Sequence, residues 1–276
     1  MSQAPSDASR PGRQAVERPD LVLVDSHCHF DDRRFDGDRN RAWVRARTGG
    51  VSVQVLPGVT APDWPRIEAL SRGFAGLYPS YGIHPRWMPE DVDRAVRELE
   101  QWLAERPAVA LGECGLDGAV LEPSRALQRR GFLAQLELAR ARDLPVIIHA
   151  HGAMEEVVQT IRRLRDVRGV VHSFSGSRQQ AEQLVEAGLC LGLGGPLTYP
   201  RAARLRRIAA ALPLDALVLE TDSPFQPVCG EQGRRNEPSR LPRVAQALAE
   251  VRQQPLSEIA AATSRTAGRL FGFGLP

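Results

Sequence analysis

All six histidines of this 276-residue chain fall between residues 27 and 172, and nearly every one stands just after a short apolar run. His27 and His29 follow Leu21-Val22-Leu23-Val24-Asp25; His84 follows Tyr81-Gly82-Ile83; His149 and His151 come after Val146-Ile147-Ile148; His172 follows Val170-Val171. Imidazole is the commonest protein metal ligand, so histidines gathered at strand ends point to a metal site on one edge of a sheet or barrel. In an extended segment, residues two apart face the same side, so His27 and His29 can reach one ion. Carboxylates join the pattern. Glu113, in Gly112-Glu113-Cys114-Gly115-Leu116-Asp117, has two oxygens and can bridge two cations. Asp222, in Glu220-Thr221-Asp222-Ser223-Pro224, can ligate a metal and accept a hydrogen bond from bound water, with Glu220 in support. His149 and His172 end consecutive runs, the arrangement that a second cation needs. Taken singly, each has a plainer alternative: a solvated loop histidine, a satisfied core histidine, or a turn aspartate ahead of Pro224.

The elements that must position these residues are eight short runs rich in Val, Leu and Ile: Leu21–Asp25, Val51–Leu56, Leu77–Gly82, Ala108–Gly112, Pro145–Ile148, Gly169–Val171, Leu189–Leu193 and Leu217–Leu219. Amphipathic segments separate them, at Arg39–Thr48, Ala61–Arg72, Asp91–Glu105, Ser124–Arg142, Met154–Arg165, Ser177–Ala187 and Arg201–Ala211, and two more follow at Ser239–Gln253 and Ser257–Phe271. Asp91 and Ser177 suit helix N-caps, and Gly73 and Gly188 suit left-handed C-caps. Strands alternating with helices imply parallel pairing with right-handed crossovers. Eight such units fit an α/β fold of the closed (β/α)8 TIM-barrel kind, whose strand C-termini converge on one face; a doubly wound open sheet is the alternative. The polar, Ser/Pro/Arg-rich residues 1–20 read as a disordered tail, leaving 21–276 as a single catalytic barrel domain.

Composition narrows the function. A hydrophobic fraction of 42% and a charged fraction of 25% describe a globular protein without a membrane span, and the start lacks the apolar segment of a signal peptide, so a cytoplasmic location is expected. A net charge of +3 is too mild to imply nucleic acid by itself. The four cysteines have no knuckle or redox spacing and read as reduced, strand-filling thiols. No lysine occurs; all 36 basic residues are arginine. Schiff-base, P-loop and carbamylated bridging lysines are thereby excluded.

His27-x-His29, Gly82-Ile83-His84-Pro85, Gly112-Glu113-x-Gly115-Leu116-Asp117, Ile148-His149, Val171-His172-Ser173-Phe174-Ser175-Gly176, Glu220-Thr221-Asp222-x-Pro224 and Arg235-Asn236-Glu237-Pro238 occur in this order. Together they resemble the TatD family of metal-dependent deoxyribonucleases, within the amidohydrolase-like barrel superfamily. Gly192 to Ala202 is similar to the YjjV-like branch. The likeness runs from about Leu21 to Phe273. It implies two divalent cations per subunit (zinc, manganese or magnesium), the first held by His27, His29, Glu113 and Asp222 and the second by Glu113, His149 and His172. Two pairs of positions depart from the family pattern. His151 and Gly152 stand where an arginine and an acidic residue are usual, and Gly118 and Ala119 replace aromatic residues.

The resemblance implies a 3'-5' exonuclease acting on single-stranded DNA, as a monomer with no obligate protein partner. Asp222 and Glu113 would be catalytic, and His84 would contact phosphate unless it is merely structural beside Pro85. His151, Arg201 and Arg235 are further substrate contacts to expect, and Arg204, Arg206, Arg207 and Arg234 form the same arginine-rich face, which solvation alone would also explain. The same dinuclear site could instead hydrolyse amide, ester or lactone bonds, in a small molecule or an aminoacyl-tRNA. A degenerate barrel used only for binding would have lost ligands, and all six are present.

Overall fold

The computed structural model describes residues 21–274; the tail expected over residues 1–20 lies outside the described residues. Eight strands, β1 (Leu23–Asp25), β2 (Val51–Pro57), β3 (Leu77–Tyr81), β4 (Ala110–Asp117), β5 (Val146–His151), β6 (Gly169–Val171), β7 (Leu189–Leu193) and β8 (Leu217–Leu219), pair in parallel in sequence order. A helix crosses between each pair of neighbours: α1 (Arg39–Thr48), α2 (Trp64–Gly73), α3 (Val92–Glu105), α4 (Arg125–Ala141), α5 (Met154–Leu164), α6 (Arg178–Glu186) and α7 (Ala203–Ala211). Helices α8 (Leu241–Arg252) and α9 (Leu256–Phe271) end the chain.

The seam between β8 and β1 closes just past the paired strands. Ser26 N–H donates to Leu219 O at 2.9 Å, Asp222 N–H to His27 O at 2.9 Å, and His29 N–H to Ser223 O at 2.8 Å. The buried Asp25 carboxylate accepts the Thr221 N–H at 2.9 Å and the Thr221 hydroxyl at 2.6 Å. The sheet is therefore a closed (β/α)8 barrel, and the open-sheet alternative falls.

The barrel interior is apolar at one end and polar at the other. Val24, Val53, Val55, Ala110, Ile147, Val170 and Val218 pack together with Ala267, Leu270 and Phe271 of α9, with Tyr78 and Cys190 at the margin, so every strand contributes. Full burial of each such aliphatic side chain stabilises the fold by about 1.5–3 kcal/mol. Helix α9 thus stops the end where the strands begin, and Ser264 Oγ fixes it there by donating to Val22 O at 2.8 Å. The larger apolar layer lies between strands and helices. Because strand side chains alternate, His149 and His151 share the inward face of Ile147, further along β5 and away from the plug.

Two strands run past their apolar sequence. Strand β4 continues through Glu113 to Asp117 and β5 through His149 to His151, with an irregular register between Leu111 and Cys114. Gly115 has a φ of +140°, and a Cβ there would strike His149 O, so only glycine lets β4 pass β5 at this level. Asp91 and Ser177 cap their helices as expected, Ser177 in a capping box with Gln180. Gly188 takes the left-handed conformation after α6, but Gly73 does not: it closes α2, and Gly76 makes the left-handed turn instead. A 3-10 turn at Ala61–Asp63 and Pro65 delay α2 to Trp64, and Pro242 sits in the first turn of α8.

Candidate active site

The polar end of the barrel gathers the expected residues. His27 and His29 follow β1, His84 follows β3, Glu113 lies within β4, His149 within β5, His172 directly after β6, and Asp222 after β8. Glu113 is the centre. One of its oxygens, Oε2, is 3.5 Å from His27 Nε2 and 3.6 Å from His29 Nε2; the other, Oε1, is 2.9 Å from His149 Nδ1 and 2.8 Å from His172 Nε2. His27 Nε2 and His29 Nε2 are 3.2 Å apart, and each lies 3.6 and 3.5 Å respectively from Asp222 Oδ1.

These spacings test whether a cation fits. Four donors around a tetrahedral ion at bond lengths of about 2.0–2.2 Å are separated by about 3.3–3.6 Å. The distances from His27 and His29 to Glu113 and Asp222, 3.5–3.6 Å, fall at that spacing, and the 3.2 Å between the two imidazoles is just below it. Glu113, His149 and His172 form a tighter triangle, with His149 Nδ1 3.2 Å from His172 Nε2. Among the described residues, the groups of donors that could hold an ion include His27-His29-Asp222 and His27-Glu113-His172. The residues present therefore fit divalent cations by the spacing and the nitrogen and oxygen chemistry of their donors.

The electrostatics agree. Burial alone would favour a neutral Glu113, but the imidazoles of His172, His84 and His27 and the hydrogen bond with His149 hold its carboxyl well below the usual range. Burial pushes His84 down to about 3 and Glu220 up to about 8. Glu220 Oε1 accepts the Ser173 N–H at 2.5 Å and lies 3.9 Å from His172 Nδ1, a supporting place as its position suggested. A Cβ on Gly192 would collide with the Glu220 carboxylate, so that glycine makes room for it.

Sequence reasoning overlooked four residues that hold the site. Asp117, fully buried, accepts from Arg86 Nε at 2.6 Å and pairs with His149 Nε2 at 3.2 Å. Gln226 Nε2 donates to Asp222 Oδ2 at 2.6 Å. Asp25 ties the two ends of the seam together. A signal existed for Asp117, which completes the Gly-Leu-Asp motif; nothing in the sequence pointed to Gln226 or Arg86.

Three expected contacts fare differently. His151 is 59% exposed on the rim, with Nδ1 3.2 Å from Asp117 Oδ1. Arg201 lines a separate cleft with Pro196, Tyr199 and Gln226, its guanidinium 5.4 Å from the Tyr199 ring centroid. Arg235 does not reach the site. It bonds Asp38 at 2.6 and 2.9 Å and Arg34 O at 2.7 Å and covers the Phe35 ring, so its charge is taken up within the fold. Arg204 and Arg206 likewise donate to the backbone at Ser175 and Leu197. The two departures from the family pattern prove to be one. Gly118 N–H donates to His151 O at 2.7 Å, and a Cβ on Gly118 would come within 2.6 Å of Gly152 O.

A closed barrel whose strand ends present two donor clusters around one shared glutamate defines a metal-dependent hydrolase. The description of the "TatD related DNase" family matches residues 24–272, and the chain belongs to that family. It is 41% identical over 252 residues to the "Uncharacterized metal-dependent hydrolase YjjV" of Escherichia coli K12, across 90% of this chain and 97% of that one. It is 32% identical over 256 residues to the "3'-5' ssDNA/RNA exonuclease TatD" of Cronobacter turicensis, across 90% and 97%. The crystal structure of the TatD homologue YjjV from Escherichia coli superposes with a TM-score of 0.87 at 39% identity, covering 92% of this chain and 99% of that one. No helix among the described residues is long and apolar enough to cross a membrane.

Proposed function

We propose that the chain is a phosphodiesterase that shortens single-stranded DNA from its 3' end, with residues 21–276 acting as one catalytic domain. The observation that carries the reading is the shared Glu113 carboxylate, approached by His27 and His29 on one oxygen and by His149 and His172 on the other. His27, His29, Glu113 and Asp222 would hold one divalent cation and Glu113, His149 and His172 a second, with zinc, manganese and magnesium all compatible with nitrogen and oxygen donors. Bound there, such ions supply Lewis acidity and lower the pKa of water toward neutrality.

The chain's own groups do the rest. Asp222, with Oδ2 anchored by Gln226, is placed to orient the attacking water and take its proton. His84 Nδ1 accepts the Arg86 N–H at 3.1 Å, which leaves the proton of the neutral ring on Nε2, the nitrogen that faces Glu113 at 3.5 Å. That N–H can donate to a phosphate oxygen as charge builds on it. His151 stands beside the cleft as a further phosphate contact. The cleft itself has a volume of about 600 Å³ and opens to solvent beside these groups.

A second reading keeps the site and changes the electrophile to a carbonyl carbon. The paired glycines 118 and 152 favour it, because Gly118 packs against Gly152 O with no room for a side chain, next to Asp117 and His151, where the resemblance implies aromatic and acidic residues. Oligonucleotides and a panel of esters, lactones and aminoacyl-tRNA, each with Mg2+, Mn2+ or Zn2+, separate the two. Oligonucleotide shortening that stops with EDTA supports the first reading; ester turnover without shortening refutes it. Glu113→Ala and Asp222→Ala should each abolish turnover in a folded chain, and equal residual activity in either refutes the assignment.

A further inference from the structure

Five large apolar side chains stand exposed among the described residues, and only two are aromatic: Trp87 at 63% and Phe225 at 45%. Both line the cleft that contains Glu113, His149 and Asp222. Isolated exposed apolar side chains need no explanation. Two aromatic rings converging on one polar cleft do.

Their placement is built in the same way. Trp87 lies three residues after His84 and donates its N–H to His84 O at 2.9 Å; Phe225 lies three residues after Asp222 and donates its N–H to Asp222 O at 2.8 Å. Each ring is carried on a single turn that starts at a site residue, one on the β3 side and one on the β8 side. The Phe225 ring is also held. Arg34 covers it at 4.3 Å from the centroid, and His29 meets it edge-on at 5.8 Å.

The cleft's charge argues for the same occupant. Arg33, Arg66 and Arg86 line it, but so do Asp31, Asp32 and Asp63. Arg66 pairs with Asp36 and Arg86 with Asp117. Attraction of these side chains for a phosphate backbone is therefore largely offset, so away from the cations that the nuclease reading places here a single strand gains affinity from another source. Stacking of bases on aromatic rings supplies it without regard to sequence.

We propose that Trp87 and Phe225 are base-stacking platforms that hold the nucleotides on either side of the scissile bond; the proposal rests on the nuclease reading above. The test compares the full-length protein with Trp87→Ala, Phe225→Ala and the conservative Trp87→Phe. Substrates are a single-stranded oligonucleotide and the same strand with stable abasic residues at its last two positions, shortened with Mn2+. Binding of both strands to each protein in EDTA, followed by fluorescence anisotropy, gives a readout independent of turnover.

On the intact strand each alanine variant should raise KM and weaken binding by about 5- to 150-fold, with kcat little changed. On the abasic strand the wild type should already be weak, and the alanine variants no weaker. Trp87→Phe should keep most of the wild-type affinity. Unchanged KM and binding in both alanine variants overturn the proposal while leaving the nuclease reading standing. So does an equal loss on intact and abasic strands, which marks a structural role. A wild type that neither binds nor shortens either strand refutes the nuclease reading itself.

Discussion

Replacing Asp117 by asparagine should separate the two proposed cation sites. The Asp117 side chain is fully buried and has four hydrogen-bond partners: Arg86 Nε at 2.6 Å and His149 Nε2 at 3.2 Å on Oδ2, and Ala119 N–H at 2.8 Å and His151 Nδ1 at 3.2 Å on Oδ1. Asparagine that keeps its oxygen for Ala119 turns its NH2 group toward both Arg86 and His149, which share Oδ2. A hydrogen bond to a charged group contributes about 1.5–3 kcal/mol, and loss of such outer partners typically costs about 10–100-fold in metal affinity. His149 serves only the cluster shared with His172, so the whole loss should fall on one cation. Calorimetric titration of Mn2+ into chelator-stripped protein should show two sites in the wild type. In Asp117→Asn one class should shift by about 10–100-fold and the other stay within about twofold. Equal weakening of both classes would mean that Asp117 supports the fold rather than His149. No change in either would refute the positioning role outright.

Removing metal should also be visible in stability. Cations present at about 100 times their dissociation constant stabilise the folded state by about 2.7 kcal/mol, so EDTA should lower Tm and Mn2+ restore it, whereas Glu113→Gln should respond to neither. The Asp38–Arg235 pair gives a prediction about acid. Hydrogen bonds from Arg235, against a smaller opposing effect of burial, and then from Arg45 hold the Asp38 carboxyl well below its ordinary value. A carboxyl depressed in the folded state contributes stability above its unfolded pKa of about 3.9, and that contribution fades as pH falls below it. Urea midpoints at pH 7 and pH 3 should therefore differ more in the wild type than in Asp38→Asn. Arg235→Ala should cost about 1 kcal/mol of stability and leave KM unchanged, and a raised KM would restore Arg235 to the substrate path. Gly115→Ala, whose new methyl would press on His149 O at φ +140°, should destabilise by about 1–3 kcal/mol in thermal melts and weaken Mn2+ binding.

The sequence made the barrel legible because each strand core is a run of Val, Ile or Leu and each crossover is amphipathic. It was least legible where β4 and β5 carry polar groups inside the barrel. Glu113, Asp117, His149 and His151 break the apolar pattern, so the apolar runs end at Gly112 and Ile148, although the ladder continues to Asp117 and His151. The site residues stood out by type and by their place at strand ends. Their supports did not, because Gln226, Arg86 and Asp25 acquire meaning only through contacts across the fold. Arg235 shows the converse. It looks like a free surface cation until Asp38, 197 residues away in sequence, is brought beside it.

The β8–β1 seam fixes when the site can come into being. His27 and His29 leave the ribosome early, yet the backbone bonds that set their spacing to Asp222 come from residues almost two hundred positions later, as the Asp25–Thr221 pair at a separation of 196 illustrates. A nascent chain holding both histidines, Glu113, His149 and His172 still lacks the edge that closes the ring. Ion capture in its final form is thus a late event of synthesis, coincident with barrel closure, and a chain cut short before residue 222 would present its imidazoles without a finished cage.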